Sequence, residues 1–381
     1  MDYKGIDFED VLKKIKMFRS EDCSWENVYN SICSKPLEIG REAFTQGIET
    51  NLGDKRIFKG TEKVEEIVIK KLGRLLDSET CVGNIVSGGT EANFLALYVA
   101  KKMREAVLTP EIIVSDTVHF SVLKATEFLG IKCRFIRSDE KYKLKVSEIE
   151  DNINENTIAI VATAGTSEFG SVDDIEEIAK IASINKIYFH VDAATGGFII
   201  PFGRMLGKAL PNVSFSIAGI SSITIDPHKY GLVPIPSGAI LFQDKSLQDK
   251  IHLSSYFVGT HHHTTMLGTR SGAPVLAAFA VMEHLGIEGF LEITKRNFEL
   301  TNLLKQELAK IGFELYIEPE LNIVCIKARN AIQIMEKLES KGIIISVSKR
   351  VPDVIRIVVN NHMNEDMIYR LINEFRRLKD E

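Results

Sequence analysis

Three short stretches hold residue types whose spacing suits chemistry. Ser87-Gly88-Gly89-Thr90 lies between an expected strand and an expected helix starting near Glu91. Free backbone N–H groups at a helix N-terminus attract an anion, and glycines let it approach closely, so this turn suits a phosphate. Its spacing fits neither the Walker loop nor G-x-G-x-x-G, which disfavours ATP and dinucleotides. A plain strand-to-helix turn capped by Thr90 is the competing reading. His190-Val191-Asp192-Ala193-Ala194 closes an apolar strand ahead of Gly196 and Gly197. A carboxylate at the carboxyl end of a parallel strand points into the crevice where α/β proteins bind ligands, and small alanines leave room for a flat ring. Asp192 therefore suits a ring nitrogen, although an isolated Asp at a strand end more commonly caps the next turn. In Asp226-Pro227-His228-Lys229-Tyr230-Gly231, Lys229 follows a strand and stands beside a histidine. That is a place for an imine-forming nucleophile, whereas most lysines only cover a solvated face.

The elements that must position these residues alternate along the chain. β-rich runs at Gly83 to Val86, Glu111 to Ser115, Cys133 to Ile136, Thr157 to Thr163, Ile187 to Val191 and Ser222 to Ile225 are separated by helical segments such as Glu91 to Arg104 and Ile175 to Ala182. Crossover helices return each strand in the same direction, so the pattern predicts an α/β fold with a mostly parallel sheet buried on both faces. Ala239 to Phe242 adds a strand. Upstream, Val11, Leu12, Ile15 and Phe18 recur at helical spacing within an N-terminal arm, residues 1–50. Thr61 is placed as the cap of a helix with an apolar face of Val64, Ile67, Val68, Leu72, Leu75 and Leu76. The large domain is set at residues 51–285 and a small C-terminal α+β domain at 286–381. The latter reads as helix, strand Ile323 to Ile326, helix Ala331 to Lys341, strands Ile343 to Val347 and Val354 to Val359, and a final helix.

Composition narrows the function. Among 381 residues, 45% are hydrophobic and 26% charged, and 47 basic against 52 acidic residues leave a net charge of -5. This is globular composition without the basic surplus of a nucleic-acid binder. Five scattered cysteines form no C-x-x-C pair, which fits a reducing cytoplasm. The first ten residues are polar and charged, and no uninterrupted apolar run reaches the roughly 18 residues of a membrane span. A cytoplasmic protein without nucleic-acid or membrane partners is expected.

The three chemical stretches fall in the order anion turn, ring-nitrogen carboxylate, lysine, the order used by fold-type I enzymes of pyridoxal 5'-phosphate. Ser87-Gly-Gly-Thr-Glu-Ala-Asn93, Asp116-Thr-Val-His119, Gly165-Thr166-Ser167, His190-Val-Asp-Ala-Ala194 and Asp226-Pro-His-Lys229 together resemble the group II amino acid decarboxylases. Glu49-Thr-Asn-Leu-Gly53, Pro234-Ile-Pro-Ser-Gly238 and Leu267-Gly-Thr-Arg270 look most like the archaeal tyrosine/aspartate branch. The resemblance covers nearly the whole chain. It implies the fold-type I transferase fold and decarboxylation of an L-amino acid, aspartate to β-alanine or tyrosine to tyramine. It implies that Lys229 forms the imine with the cofactor, Asp192 pairs with the pyridinium nitrogen, and His119 stacks on one ring face with Ala194 against the other. Gly89, Thr90 and His228 would hold the phosphate, with Thr166 also at the cofactor, and Gly268 and Thr269 reaching across from the second subunit of a homodimer whose active site is shared. Arg356, in Val354-Ile-Arg-Ile-Val-Val359, would bind a substrate carboxylate; a strand arginine on a wet face is the plain alternative.

The triplet His261-His262-His263 lies outside the resemblance. Adjacent side chains diverge in an extended segment and no acidic cluster accompanies them, so no metal is expected and a solvated loop is preferred. This segment, with Tyr256 and Asn51, is expected to border the substrate pocket, where imidazole meets an acidic or phenolic side chain. Asp192-Ala-Ala-Thr-Gly-Gly-Phe-Ile199 and His228-Lys-Tyr-Gly231 are also similar to sphingosine-phosphate lyase, which leaves carbon–carbon cleavage with the same cofactor as the alternative. A catalytically silent scaffold ranks lower because both Lys229 and Asp192 are present.

Overall fold

The computed structural model describes residues 4–254 and 263–380. Seven strands form the central sheet: β1 (Val82–Val86), β2 (Glu111–Ser115), β3 (Lys132–Ile136), β4 (Thr157–Thr163), β5 (Tyr188–Asp192), β6 (Ser222–Ile225) and β7 (Gly238–Phe242), in the order β1-β7-β6-β5-β4-β2-β3. Every neighbouring pair is parallel except those made by β7, which runs antiparallel to β1 and β6. β4 and β5 are buried along their whole length. Their side chains alternate between two apolar layers: Ile160, Ala162, Phe189 and Val191 join one, and Ala159, Val161 and Tyr188 the other. Helices therefore cover both faces, and each large apolar side chain so enclosed contributes about 1.5–3 kcal/mol.

A second sheet, β10-β11-β9-β8, is antiparallel and built from β8 (Leu315–Ile317), β9 (Ile323–Lys327), β10 (Ser346–Val347) and β11 (Val354–Val358). β8 was not anticipated, and β10 is shorter than the Ile343 to Val347 expected. The helix Ala273–Lys310 joins the two sheets, with a non-helical residue at Gly286, whose φ of 55° is readily reached only without a side chain. It has the length and hydropathy of a membrane span, but Val275, Ala277, Ala278 and Val281 are fully buried in the core of the large sheet.

The arm divides into parts of different character. In the helix Phe8–Arg19 no residue is buried, and Phe18 is 64% exposed. Tyr29, by contrast, is fully buried in the core of the small sheet, and the helix Glu38–Gly47 packs so closely on Ala273 that a side chain at Gly47 would collide with its backbone. The helix assigned to a Thr61 cap starts three residues earlier than that cap implies, at Lys59, with Phe58 in the capping position. Thr61 sits inside it, buried against Gly272. Contact with the incoming chain, rather than capping, explains that residue.

Candidate active site

Carboxyl ends of parallel strands bring the chemical residues together. A cavity of about 340 Å³ is lined by Gly88, Gly89, Thr90, Asn93, His119, Ser121, Asp192, Ala194, Asp226, His228 and Lys229, among others. The helix Gly89–Met103 begins at the anion turn, so Thr90 lies in its first turn and no side chain caps it. Its leading N–H groups border the cleft, as an anion requires. Glu91 closes the turn from behind, accepting from Ser87 N (2.9 Å) and Ser87 Oγ (2.8 Å) through Oε2. The glycines have a specific reason to be there. A Cβ at Gly89 would stand 3.0 Å from Asp226 Oδ2 and 3.3 Å from the Ala194 methyl, filling the cradle between turn and ring site.

Asp192 ends β5 and is 5% exposed. Its Oδ2 accepts from Asn93 Nδ2 at 2.7 Å and its Oδ1 from Ala194 N at 3.1 Å, so the carboxylate is fixed in orientation. His119 caps the helix Phe120–Leu129: its Nδ1 accepts from Ser121 N (3.3 Å) and contacts Ser121 Oγ (2.8 Å) while the ring lines the cleft. Capping and cleft placement thus coincide in one residue. Burial holds its pKa below the ordinary histidine value, against the opposing pull of Asp192.

Lys229 sits in the turn after β6, where its Nζ lies 3.3 Å from Asp226 Oδ2. The turn is strapped from the arm by Ser34, whose hydroxyl donates to the Lys229 carbonyl and whose N–H donates to that of His228. His228 Nδ1 accepts from Ser237 N (3.2 Å), and Nε2 faces Asp226 Oδ2 at 3.5 Å. Burial lowers the pKa of His228, opposed by Asp226. Asp226 is 2% exposed, and its Oδ1 has no hydrogen-bond partner among the described residues.

The remaining candidates are elsewhere. Thr166 is buried in a turn, its Oγ1 accepting from Ser171 N, while its neighbours Gly165 and Ser167 line the cleft. Arg356 does not line the cavity; its Nε donates to Glu168 O at 3.1 Å and its Nη1 to Asn30 O at 3.0 Å. Asn51 Oδ1 accepts from Gly53 N (2.8 Å) and Arg270 N (3.1 Å), so it shapes the chain beside Gly268 and Thr269. Those two residues are exposed, on a segment held by Met266 N donating to Glu91 Oε1 and by the buried Arg270–Glu65 ion pair. Tyr256, His261 and His262 lie outside the described residues. Asn93, Ser121 and Asp226 were not singled out as site residues: all three occur within or beside the motifs, but their cleft contacts depend on tertiary pairing.

The arrangement suits a flat, phosphorylated, aldehyde-bearing ring. An anion turn, an oriented carboxylate, a histidine face and a lysine amine converge on one cavity, where Asp226 Oδ2 lies 3.3 Å from the Lys229 amine. Residues 9–329 match the family model of the pyridoxal-dependent decarboxylase conserved domain. The chain belongs to the pyridoxal-dependent decarboxylases. A relative from Methanothermobacter thermautotrophicus named "Probable L-tyrosine/L-aspartate decarboxylase" is 40% identical over 93% of this chain and 98% of its own. One from Pyrococcus furiosus named "Probable L-aspartate decarboxylase" is 42% identical over 89% and 92% respectively. The sphingosine-1-phosphate lyase of Burkholderia pseudomallei superposes with a TM-score of 0.91 over the whole chain and 92% of its own, at 21% identity. That likeness speaks for the fold-type I architecture alone, and the family match favours carboxy-lyase over aldol-type chemistry. This decarboxylase therefore uses pyridoxal phosphate to remove carbon dioxide from an amino acid.

Proposed function

We propose that this decarboxylase acts on L-aspartate, forming β-alanine, with L-tyrosine to tyramine as a second activity. The observation that carries the reading is that both relatives described above have aspartate in their names, and the first also has tyrosine. Pyridoxal phosphate, when bound, supplies an aldehyde for the substrate amine and a conjugated ring that takes up the electron pair left by carbon dioxide.

Each cleft residue has a distinct task in this proposal. Lys229 would provide the amine that holds the cofactor through its aldehyde carbon. The oriented Asp192 carboxylate keeps a proton on the ring nitrogen, and His119 and Ala194 confine the two ring faces. Gly89, Thr90 and His228 take the phosphate at the helix N-terminus. Arg356, which does not line the cavity and donates to Glu168 O and Asn30 O, holds the loop that carries the cleft-lining Ser167. Thr166 sets that same loop. Gly268 and Thr269 serve a partner subunit's cleft in a cytoplasmic homodimer, and Asn51 shapes the chain that carries them. Support for the shared site is the exposed 268–269 tip mounted on a buried ion pair.

Carbon dioxide release by the purified holoenzyme, measured against aspartate, tyrosine, glutamate and other aromatic amino acids, tests the substrate. Release with aspartate above all others supports the proposal. A flat response to aspartate and tyrosine, with release from another acid, overturns it.

A further inference from the structure

We propose that Asn93 is a positioning residue that joins Asp192 and His119 through one polarised hydrogen-bond chain and fixes the ring of His119 as its Nε2–H tautomer. The inference rests on the reading that Asp192 and His119 face the cofactor. The side chain of Asn93 is 1% exposed and makes four side-chain hydrogen bonds. Nδ2 reaches Asp192 Oδ2 at 2.7 Å and Ser121 Oγ at 2.8 Å. Oδ1 meets Thr224 Oγ1 at 2.8 Å and His190 Nε2 at 2.9 Å, while Thr224 Oγ1 also lies 3.3 Å from His190 Nε2.

The direction of every bond follows from the carboxylate. An amide oxygen turned towards Asp192 would place two acceptors within hydrogen-bonding distance in a water-poor core, so the NH₂ group must face it. Oδ1 then faces His190 and Thr224, and both must donate. His190 is fully buried, and burial lowers its pKa to about 4, so the ring is neutral with its proton on Nε2. Its Nδ1 is left as an acceptor for the Ser222 hydroxyl at 2.8 Å, and the Ser222 oxygen accepts from Tyr188 O–H at 2.7 Å. On the other branch, Ser121 Oγ accepts from Asn93 and turns its own hydrogen to His119 Nδ1 at 2.8 Å, where the Ser121 backbone N–H also points.

Both lone-pair demands on His119 therefore fall on Nδ1, and its single proton is directed to Nε2. One amide couples the residue expected at the ring nitrogen to the residue expected on the ring face, and neither retains a free choice of rotamer. Asn93 lies within the Ser87-Gly-Gly-Thr-Glu-Ala-Asn93 stretch, one turn into the helix that starts at the anion turn, so the phosphate site and the polar floor share a single rigid element.

The experiment is nitrogen NMR of the histidine-labelled protein, with and without pyridoxal phosphate, combined with the cofactor's visible absorbance as a function of pH. In the unmodified protein, His119 and His190 should both show the Nε2–H tautomer, a result that needs no variant to fold. Ser121→Ala should release His119 into a tautomer mixture yet leave the absorbance pH profile in place. Asn93→Leu should do both: mix the His119 tautomers and shift the profile, with kcat falling about tenfold or more and KM little changed. An Nδ1–H proton on His119 in the unmodified protein overturns the inference, as does an Asn93→Leu protein with both signatures unchanged. Asp192→Asn separates this from the underlying reading. If that substitution leaves the absorbance untouched, Asp192 does not face the cofactor and the site assignment fails; if it moves the absorbance while Asn93→Leu does not, only the role of Asn93 fails.

Discussion

The floor and the rim of the cleft are built on opposite plans. On the floor, Asp192, Asn93, His190 and Ser121 are each 5% exposed or less and bonded to one another, down to Tyr188 at the end of the chain. On the rim, Asp226 is equally buried but has one oxygen without a partner among the described residues, and its contacts to Lys229 and His228 are long, at 3.3 and 3.5 Å. A satisfied buried network resists rearrangement, whereas an unsatisfied group gains by accepting a new donor. The difference teaches that the ring-binding floor is preorganised and that the lysine turn is the part left to adapt to what binds.

The strongest break of the comparison is on the floor. Asp192→Ala should keep the protein folded and able to take up pyridoxal phosphate, while kcat falls roughly 10²–10³-fold, the scale of losing one preorganised electrostatic partner. Single-turnover kinetics would show it, and near-normal turnover would remove Asp192 from the chemistry.

The next prediction concerns the mounting of the 264–271 segment. Glu65 and Arg270 are 5% and 8% exposed at the side chain, and Arg270 Nη1 also donates to Ile85 O at 2.7 Å. Glu65→Ala leaves a buried guanidinium without its counter-ion and should cost about 3–5 kcal/mol in urea unfolding. A loss below about 1 kcal/mol would mean that the pair is not holding the segment.

A smaller effect comes from pH. His190 has its pKa lowered from 6.5 to about 4 by burial, so the unfolded chain binds a proton in that interval that the folded chain refuses. Its contribution is present above pH 6.5 and is lost as pH falls through about 4, amounting to about 3 kcal/mol. Comparing the pH dependence of unfolding for the native chain and His190→Gln checks the sign: the variant should show the shallower decline towards pH 4. An unchanged slope would place the charge of His190 elsewhere in the balance.

The gentlest test contrasts the two regions directly by hydrogen exchange. Loading with pyridoxal phosphate should slow exchange in the turn 226–231 and leave the amides of β5 nearly unchanged. Equal protection in both would erase the distinction between floor and rim.

The sequence made legible whatever is local. A turn rich in glycine, an apolar strand ending in Asp192 and a strand followed by Lys229 each announce themselves within a few residues, and the alternation of strands and helices predicts the doubly covered sheet. What stayed hidden depends on partners far along the chain. Asn93 meets Asp192 across 99 residues and Ser121 across 28, so nothing in its neighbourhood marks it as a hub. Asp226 stood in plain view within a motif, but its unsatisfied oxygen is a property of packing. Thr61 misled because an N-cap residue type also occurs inside helices, where burial against Gly272 decides. The short β8 carries too few residues for a period to emerge.

The most direct measurement of the central claim is borohydride reduction of the holoenzyme followed by peptide mass mapping. The account predicts a single pyridoxyl modification, on Lys229, that disappears in Lys229→Ala together with roughly 10³-fold or more of the activity. A modification mapped to a different lysine, or one that persists in the variant, would contradict it.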